Sequence, residues 1–156
     1  HPEFIFSFPA YNVRNTEIGG IMGLSQLKRL DDNIERRTVN LHRFLDQLNS
    51  EIYRTDFKLE GSSNYAFNLI LKEPNDALVI KLMEKMKESG LEYRRGSAGG
   101  GNQTRQPYLK DIVPTNHYKN FPETEHIHFY GFYIGNFPDL KDGEIDDICR
   151  ILNSVE

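Results

Sequence analysis

Asn12 and Arg14 stand two residues apart in "YNVRNTE", directly ahead of the glycine-bearing stretch "IGGIMG". One offers amide donors and the other a guanidinium. A helix starting behind them would turn its positive end toward the same point. Together these groups suit an anion such as a phosphate; a capped helix with an exposed arginine is the competing reading. A second candidate is "RRGSAGGGNQTRQP", residues 94–107. Three glycines in a row lose much backbone entropy on folding, so something should require them. Close approach of the backbone to a ligand would, and Arg94, Arg95 and Arg105 could then meet a phosphate. The stretch is not a P-loop, because no Gly-Lys-Ser/Thr follows, and a surface loop is the alternative. Third, His126 and His128 in "HIHFYGFYIGN" are expected on one side of a strand, where they could begin a metal site. No Cys, Asp or Glu of matching spacing completes one, so no metal is expected. No Ser-His-Asp or Cys-His signature appears, and no catalytic residue is assigned within the chain. Cys149 falls on an apolar helix face, where an inert core thiol is expected.

The elements that must hold these residues follow from periodicity and capping. Asn15 or Thr16 suits an N-cap, with Glu17 in the first turn where the helix dipole favours an acid. Leu27, Leu30, Ile34, Leu41, Leu45 and Leu48 keep helical spacing, which predicts one unbroken amphipathic helix over 16–48. A helix that long suggests a strut between domains or subunits. Ile18, Ile21 and Met22 near its start are apolar and are expected to lie uncovered. "FKLE" predicts a short strand, and "NYAFNLILK" a strand with Tyr65, Phe67, Leu69 and Leu71 on one face. "EPND" is a turn whose Asn75 or Asp76 caps a helix lined by Leu78, Leu82, Met83 and Met86 and stopped at Gly90. "LEYRR" predicts a third strand and "HIHFYGFYIGN" an aromatic-rich one. "DGEIDDICRILNSV" closes as a helix, with Asp142 as cap and Ile145, Ile148, Ile151 and Leu152 facing inward. The predicted class is an α/β-type (α+β) sandwich: a small, mostly antiparallel sheet covered by helices on one side, preceded by a long linking helix.

Composition narrows the function classes. The chain has 156 residues, 27% of them charged, with a formal net charge of -4. An acidic balance argues against a nucleic-acid partner, since a phosphate backbone rewards a basic surface. No apolar run approaches a membrane span, so no membrane partner is expected. A single cysteine allows no internal disulfide and fits a reducing, cytoplasmic compartment. The chain opens on His1 and "PEFIFSFPA" rather than on Met, which reads as a piece of a longer protein.

"YNVRNTEIGGIMGLSQLKRLD" resembles the "YN-x-R … G … QL" segment of the DegT/DnrJ/StrS family, the PLP-dependent sugar-nucleotide aminotransferases. The match runs through Tyr11, Asn12, Arg14, Gly23, Gln26 and Leu27. It covers essentially the whole chain but only the C-terminal portion of the family's proteins. "RRGSAGGGNQTRQPY" and "GFYIGN" resemble most the branch of 3-dehydratases that act on GDP-4-keto-6-deoxymannose. Ordinary aminotransferases usually carry a "PLH"-like segment where this chain has "GNQTRQP", and a leucine-proline pair where it has Ile134-Gly135-Asn136. The resemblance implies an aminotransferase-like (fold type I) C-terminal domain. Residues 1–15 would be the tail of a large PLP domain, 16–48 a linking helix and 49–156 the small domain. It gives Asn12 the family role of reaching the PLP phosphate held by the other subunit of a homodimer, with Arg14 beside it facing cofactor or substrate. Arg94, Arg95 and Arg105 become candidates for phosphate contacts with a nucleotide-sugar substrate. The implied activity is 4-keto-6-deoxysugar 3-dehydration in deoxysugar and lipopolysaccharide O-antigen biosynthesis. A sugar-nucleotide aminotransferase and a non-catalytic dimerisation or binding module are the alternatives. The groups that hold PLP would lie upstream of His1, so the chain alone is expected to be inactive and not to retain the cofactor.

Overall fold

The computed structural model describes residues 15–95 and 101–155. They fall into two compact units, the first ending at Asn33 and the second comprising Ile34–Glu156. In the first, helix α1 spans Glu17–Leu27. Thr16 caps it: its backbone is extended, and its Oγ1 accepts the Gly19 N–H at 3.3 Å. None of α1's side chains is buried. Ile18, Ile21 and Met22 are 71%, 70% and 61% exposed, as their sequence position suggested.

The helix expected to run unbroken from 16 to 48 is divided. Arg29 N–H reaches back only three residues, to Gln26 O at 3.0 Å, and the four-residue pattern resumes with Asn33 N–H on Arg29 O. Helix α2 then spans Leu30–Gln47 with Asp31 and Asp32 in its first turn. Two adjacent aspartates are favoured at a helix start and not in a helix middle, which accounts for the break.

The second unit is built around an antiparallel pair. Strand β1 is Ala66–Ile70 and β2 is Gly131–Gly135, in register Ala66 with Gly135 through Ile70 with Gly131. Three helices complete the core: α2, α3 (Asp76–Glu88) and α5 (Asp142–Asn153). Phe67 and Leu69 of β1 and Phe132 and Ile134 of β2 join one cluster with Leu41, Phe44 and Leu45 of α2, Val79, Leu82 and Met86 of α3, and Ile145, Cys149 and Leu152 of α5. The Phe44 and Phe67 rings stack 4.4 Å apart. Asn75 caps α3 by accepting the Leu78 N–H at 2.9 Å. At α5 the cap is Lys141 rather than Asp142: Glu144 turns back to accept the Lys141 N–H at 2.7 Å, and Asp142 sits in the first turn. The Tyr53 hydroxyl is buried and donates to Leu152 O at 2.7 Å. Asn136, fully buried, donates to the carbonyls of Arg37 and Asn64, both at 2.9 Å, and accepts from Asn40 Nδ2 at 3.2 Å. It ties the end of β2 to α2.

Three strand expectations are corrected. "FKLE" forms no strand; Phe57 and Leu59 pack against the core from irregular backbone. "LEYRR" supplies a single bridge, Arg94 to Tyr133, on the free edge of β2. "HIHFYGFYIGN" is divided between helix α4 (Pro122–Tyr130) and β2. Pro122 opens α4, and Glu123 and Glu125 lie in its first turn, all helix-start preferences. Gly131 lets the chain turn from α4 into β2, because a Cβ there would lie 2.5 Å from Ile127 O. Among the described residues, no helix is long and apolar enough to cross a membrane.

Candidate functional site

Neighbouring residues across paired strands project to the same face. Asn68 pairs with Tyr133, and Tyr133 exchanges two backbone hydrogen bonds with Arg94, at 2.8 and 3.1 Å. Asn68, Tyr133 and Arg94 therefore form a row on the sheet face turned away from the core. Arg95, Gly101 and His128 join them to line a cleft of about 170 Å³. The cleft is thus floored by the sheet and walled by α4 and the end of the glycine-rich stretch.

Two of the three loop arginines meet here. Arg94 pairs with Glu92 at 2.7 Å, and its side chain is 56% exposed. An exposed pair of this kind is worth little, so the guanidinium is available to a stronger anion. Arg95 donates to the Phe129 carbonyl, and its guanidinium carbon sits 4.8 Å from the Phe132 ring centre. Arg105 is placed differently. It grips Glu125 on α4 through Nε, at 2.7 and 2.8 Å from the two carboxylate oxygens. Its guanidinium lies 3.9 Å from the Tyr118 ring centre and 5.1 Å from that of Phe129. It lines a separate cleft with Thr104, Lys110 and Tyr118. Arg105 holds the Glu125 carboxyl below the usual carboxylate range, with help from Asn102. Asn12 and Arg14 lie outside the described residues.

The two histidines do not share a strand face. Two positions apart on a helix, they point to nearly opposite sides. His126 Nε2 donates to Leu71 O at 2.6 Å, while His128 Nδ1 accepts the Asn102 N–H at 2.9 Å. Among the described residues, no group of three His, Cys, Asp or Glu is gathered to hold a metal. Glu125 and His128, three apart on α4, both fasten the segment Gly101–Arg105; sequence reasoning missed Glu125 and singled out His128 only as a possible metal ligand. The available signal was "FPETEHIHFY" read with helical period, since Pro122 and the acids mark a helix start.

The DegT/DnrJ/EryC1/StrS aminotransferase family model matches residues 2–153. The chain belongs to this family. Over 150 residues it is 30% identical to the GDP-4-keto-6-deoxy-D-mannose 3-dehydratases of Escherichia coli O55:H7 and of Yersinia pseudotuberculosis, covering 96% of this chain and 38% of each relative. It thus spans well under half the length of those relatives. Over 151 residues it is 28% identical to the lipopolysaccharide biosynthesis protein RfbH of Salmonella typhimurium, covering 92% of this chain and 33% of that one. The solved structure of the E. coli 3-dehydratase with bound hydrated PLP matches with a TM-score of 0.79 at 29% identity, over 96% of this chain and 38% of that one. An aminotransferase from Psychrobacter cryohalolentis matches with a TM-score of 0.74 at 19% identity, over 97% of this chain and 43% of that one; it shares the fold. The chain is therefore an α+β unit of the aminotransferase-like fold seen in PLP-dependent relatives. Asn136 of the Ile134-Gly135-Asn136 run is a structural hub.

Among the residues that line the cleft there is no lysine that could meet the PLP aldehyde and no carboxylate that could meet its pyridine nitrogen, and no chemical step is assigned to them.

Proposed function

We propose that this chain is the C-terminal part of a PLP-dependent enzyme that removes the 3-hydroxyl group of a nucleotide-linked 4-keto-6-deoxysugar. The observation that carries the reading is the end-to-end match, 30% identical over 150 residues, to two proteins with this activity. The chain's part is to supply binding groups. Asn12 and Arg14 reach the cofactor phosphate, Asn12 in the partner subunit's site of a homodimer. Arg94 and Arg95 meet the nucleotide phosphates at the cleft. Arg105, engaged with Glu125, acts on the same site by holding the loop in place. The enzyme works in the cytoplasm on deoxysugars for lipopolysaccharide; a lone buried cysteine suits that compartment.

The test is to express the whole protein that contains this chain, supply PLP, glutamate and GDP-4-keto-6-deoxymannose, and weigh the nucleotide sugar by mass spectrometry. Loss of one oxygen atom is the expected result. Replacement of the ketone oxygen by an amino group would reassign the protein to aminotransfer, and an unchanged sugar would leave it a binding module. The chain alone, incubated with PLP and dialysed, should keep no stoichiometric cofactor.

A further inference from the structure

We propose that His128 is a positioning residue that works as a proton-sensitive latch: its neutral ring holds Gly101–Asn102 at the wall of the cleft, and protonation releases that segment. A ring nitrogen can accept the Asn102 N–H only when it carries no proton. The observed 2.9 Å contact therefore exists only for the neutral imidazole. Imidazolium has no acceptor and would set two N–H groups against each other.

The attachment is built for close approach. Gly101 has φ +54°, and a Cβ there would lie 2.4 Å from His128 Nδ1. Asn102 is 1% exposed. Its Oδ1 accepts the Thr104 N–H at 3.0 Å, and its Nδ2 donates to Glu125 Oε1 at 3.1 Å. The segment is thus pinned to α4 at two points. They answer differently to acid. Glu125 is held ionised below the usual carboxylate range by Arg105, so between neutrality and pH ~5 it does not change. Histidine is the side chain that does.

The charged and titratable groups around His128 oppose one another. Glu125 on its own helix favours the imidazolium. Arg94 and Arg95, which line the same cleft, and Arg105 on the pinned segment disfavour it. Tyr133 lines the cleft as well, and the Phe129 and His128 rings meet in a T-shape with centres 4.7 Å apart. Because the latched state binds only the neutral ring, acid favours release. Once acid can protonate the released ring, the open fraction grows by up to about tenfold per pH unit. The bearing of this on ligand binding rests on the cleft being the nucleotide-sugar site proposed above. The latch itself does not.

The test is hydrogen exchange at the Asn102 amide of the whole chain between pH 7.5 and 5.5, corrected for intrinsic exchange, with the His128 ring titration followed by NMR in the same samples. Protection should fall by up to about tenfold per pH unit, with its midpoint at the ring's own, while core amides such as that of Phe44 stay protected. His128→Asn, whose Oδ1 can stand where Nδ1 stood and cannot titrate, should make the profile flat. His128→Leu should give low, flat protection. A flat wild-type profile, or a midpoint that follows a group other than His128, would overturn the latch. Neither PLP nor nucleotide sugar is involved, so this result and the enzymatic assay can fail independently.

Discussion

Gly101 combines a left-handed backbone with a ring nitrogen where a methyl group would go. Gly101→Ala should therefore cost about 1–2 kcal/mol from the backbone alone, and more if His128 has to move. Urea denaturation of the two proteins measures it; equal stabilities would mean that the contact is not made in solution. The role proposed for Asn12 rests on one hydrogen bond from its uncharged amide to the cofactor phosphate. In the full-length protein, Asn12→Ala should lose a hydrogen bond to a charged phosphate, worth roughly 1.5–3 kcal/mol, or about one to two decades of PLP affinity. Mixed dimers sharpen the test, because the loss should appear in the site of the unmutated subunit. Unchanged affinity would remove Asn12 from the site.

Helices α2 and α5 are joined by a fork of charge. Arg43 bonds both Asp146 oxygens at 2.7 Å, and Gln47 adds a third bond at 2.6 Å. Together they bring the Asp146 carboxyl down to about 2, with Arg43 the larger cause. A carboxylate depressed in the folded state stabilises above its unfolded value, about 3.9, and that stability fades as pH falls toward 2. Asp146→Asn should accordingly lower the Tm at neutral pH and match the wild type near pH 2. A gap that persisted at pH 2 would point to packing instead. This fork shows where sequence reading stops. Helices α3 and α5 were legible because their periodicity and end signals are local, and so was the inert thiol of Cys149. The Arg43–Asp146 pair joins residues about a hundred positions apart with nothing periodic to announce it. Nor could the residues' spacing show that Arg105 would meet Glu125, or Asn102 meet His128. In α4, the aromatic run of "HIHFYGFYIGN" outweighed the Pro122 start signal, and a strand was expected where the chain is helical. The anion turn expected at Asn12 lies outside the described residues.

At the scale of the whole molecule, the second unit depends on one core to which three helices and both strands contribute. Phe44 stacks on Phe67 at its centre, and neither is exposed. Phe44→Ala should cost about 3–5 kcal/mol, read from the shift of the urea midpoint; a loss well under that would mean that the site collapses to fill the cavity. The same core encloses Cys149, whose thiol burial pushes up to about 12 and whose Sγ lies 3.6 Å from Phe44 O. As the chain's single sulfhydryl, it is also a clock. A disulfide reagent such as dithionitrobenzoate can react only while α5 stands away from α2, so the rate at which its yellow product appears counts those openings. Comparing that rate with the rate of global unfolding would tell whether the last helix of the chain leaves first or leaves with everything else.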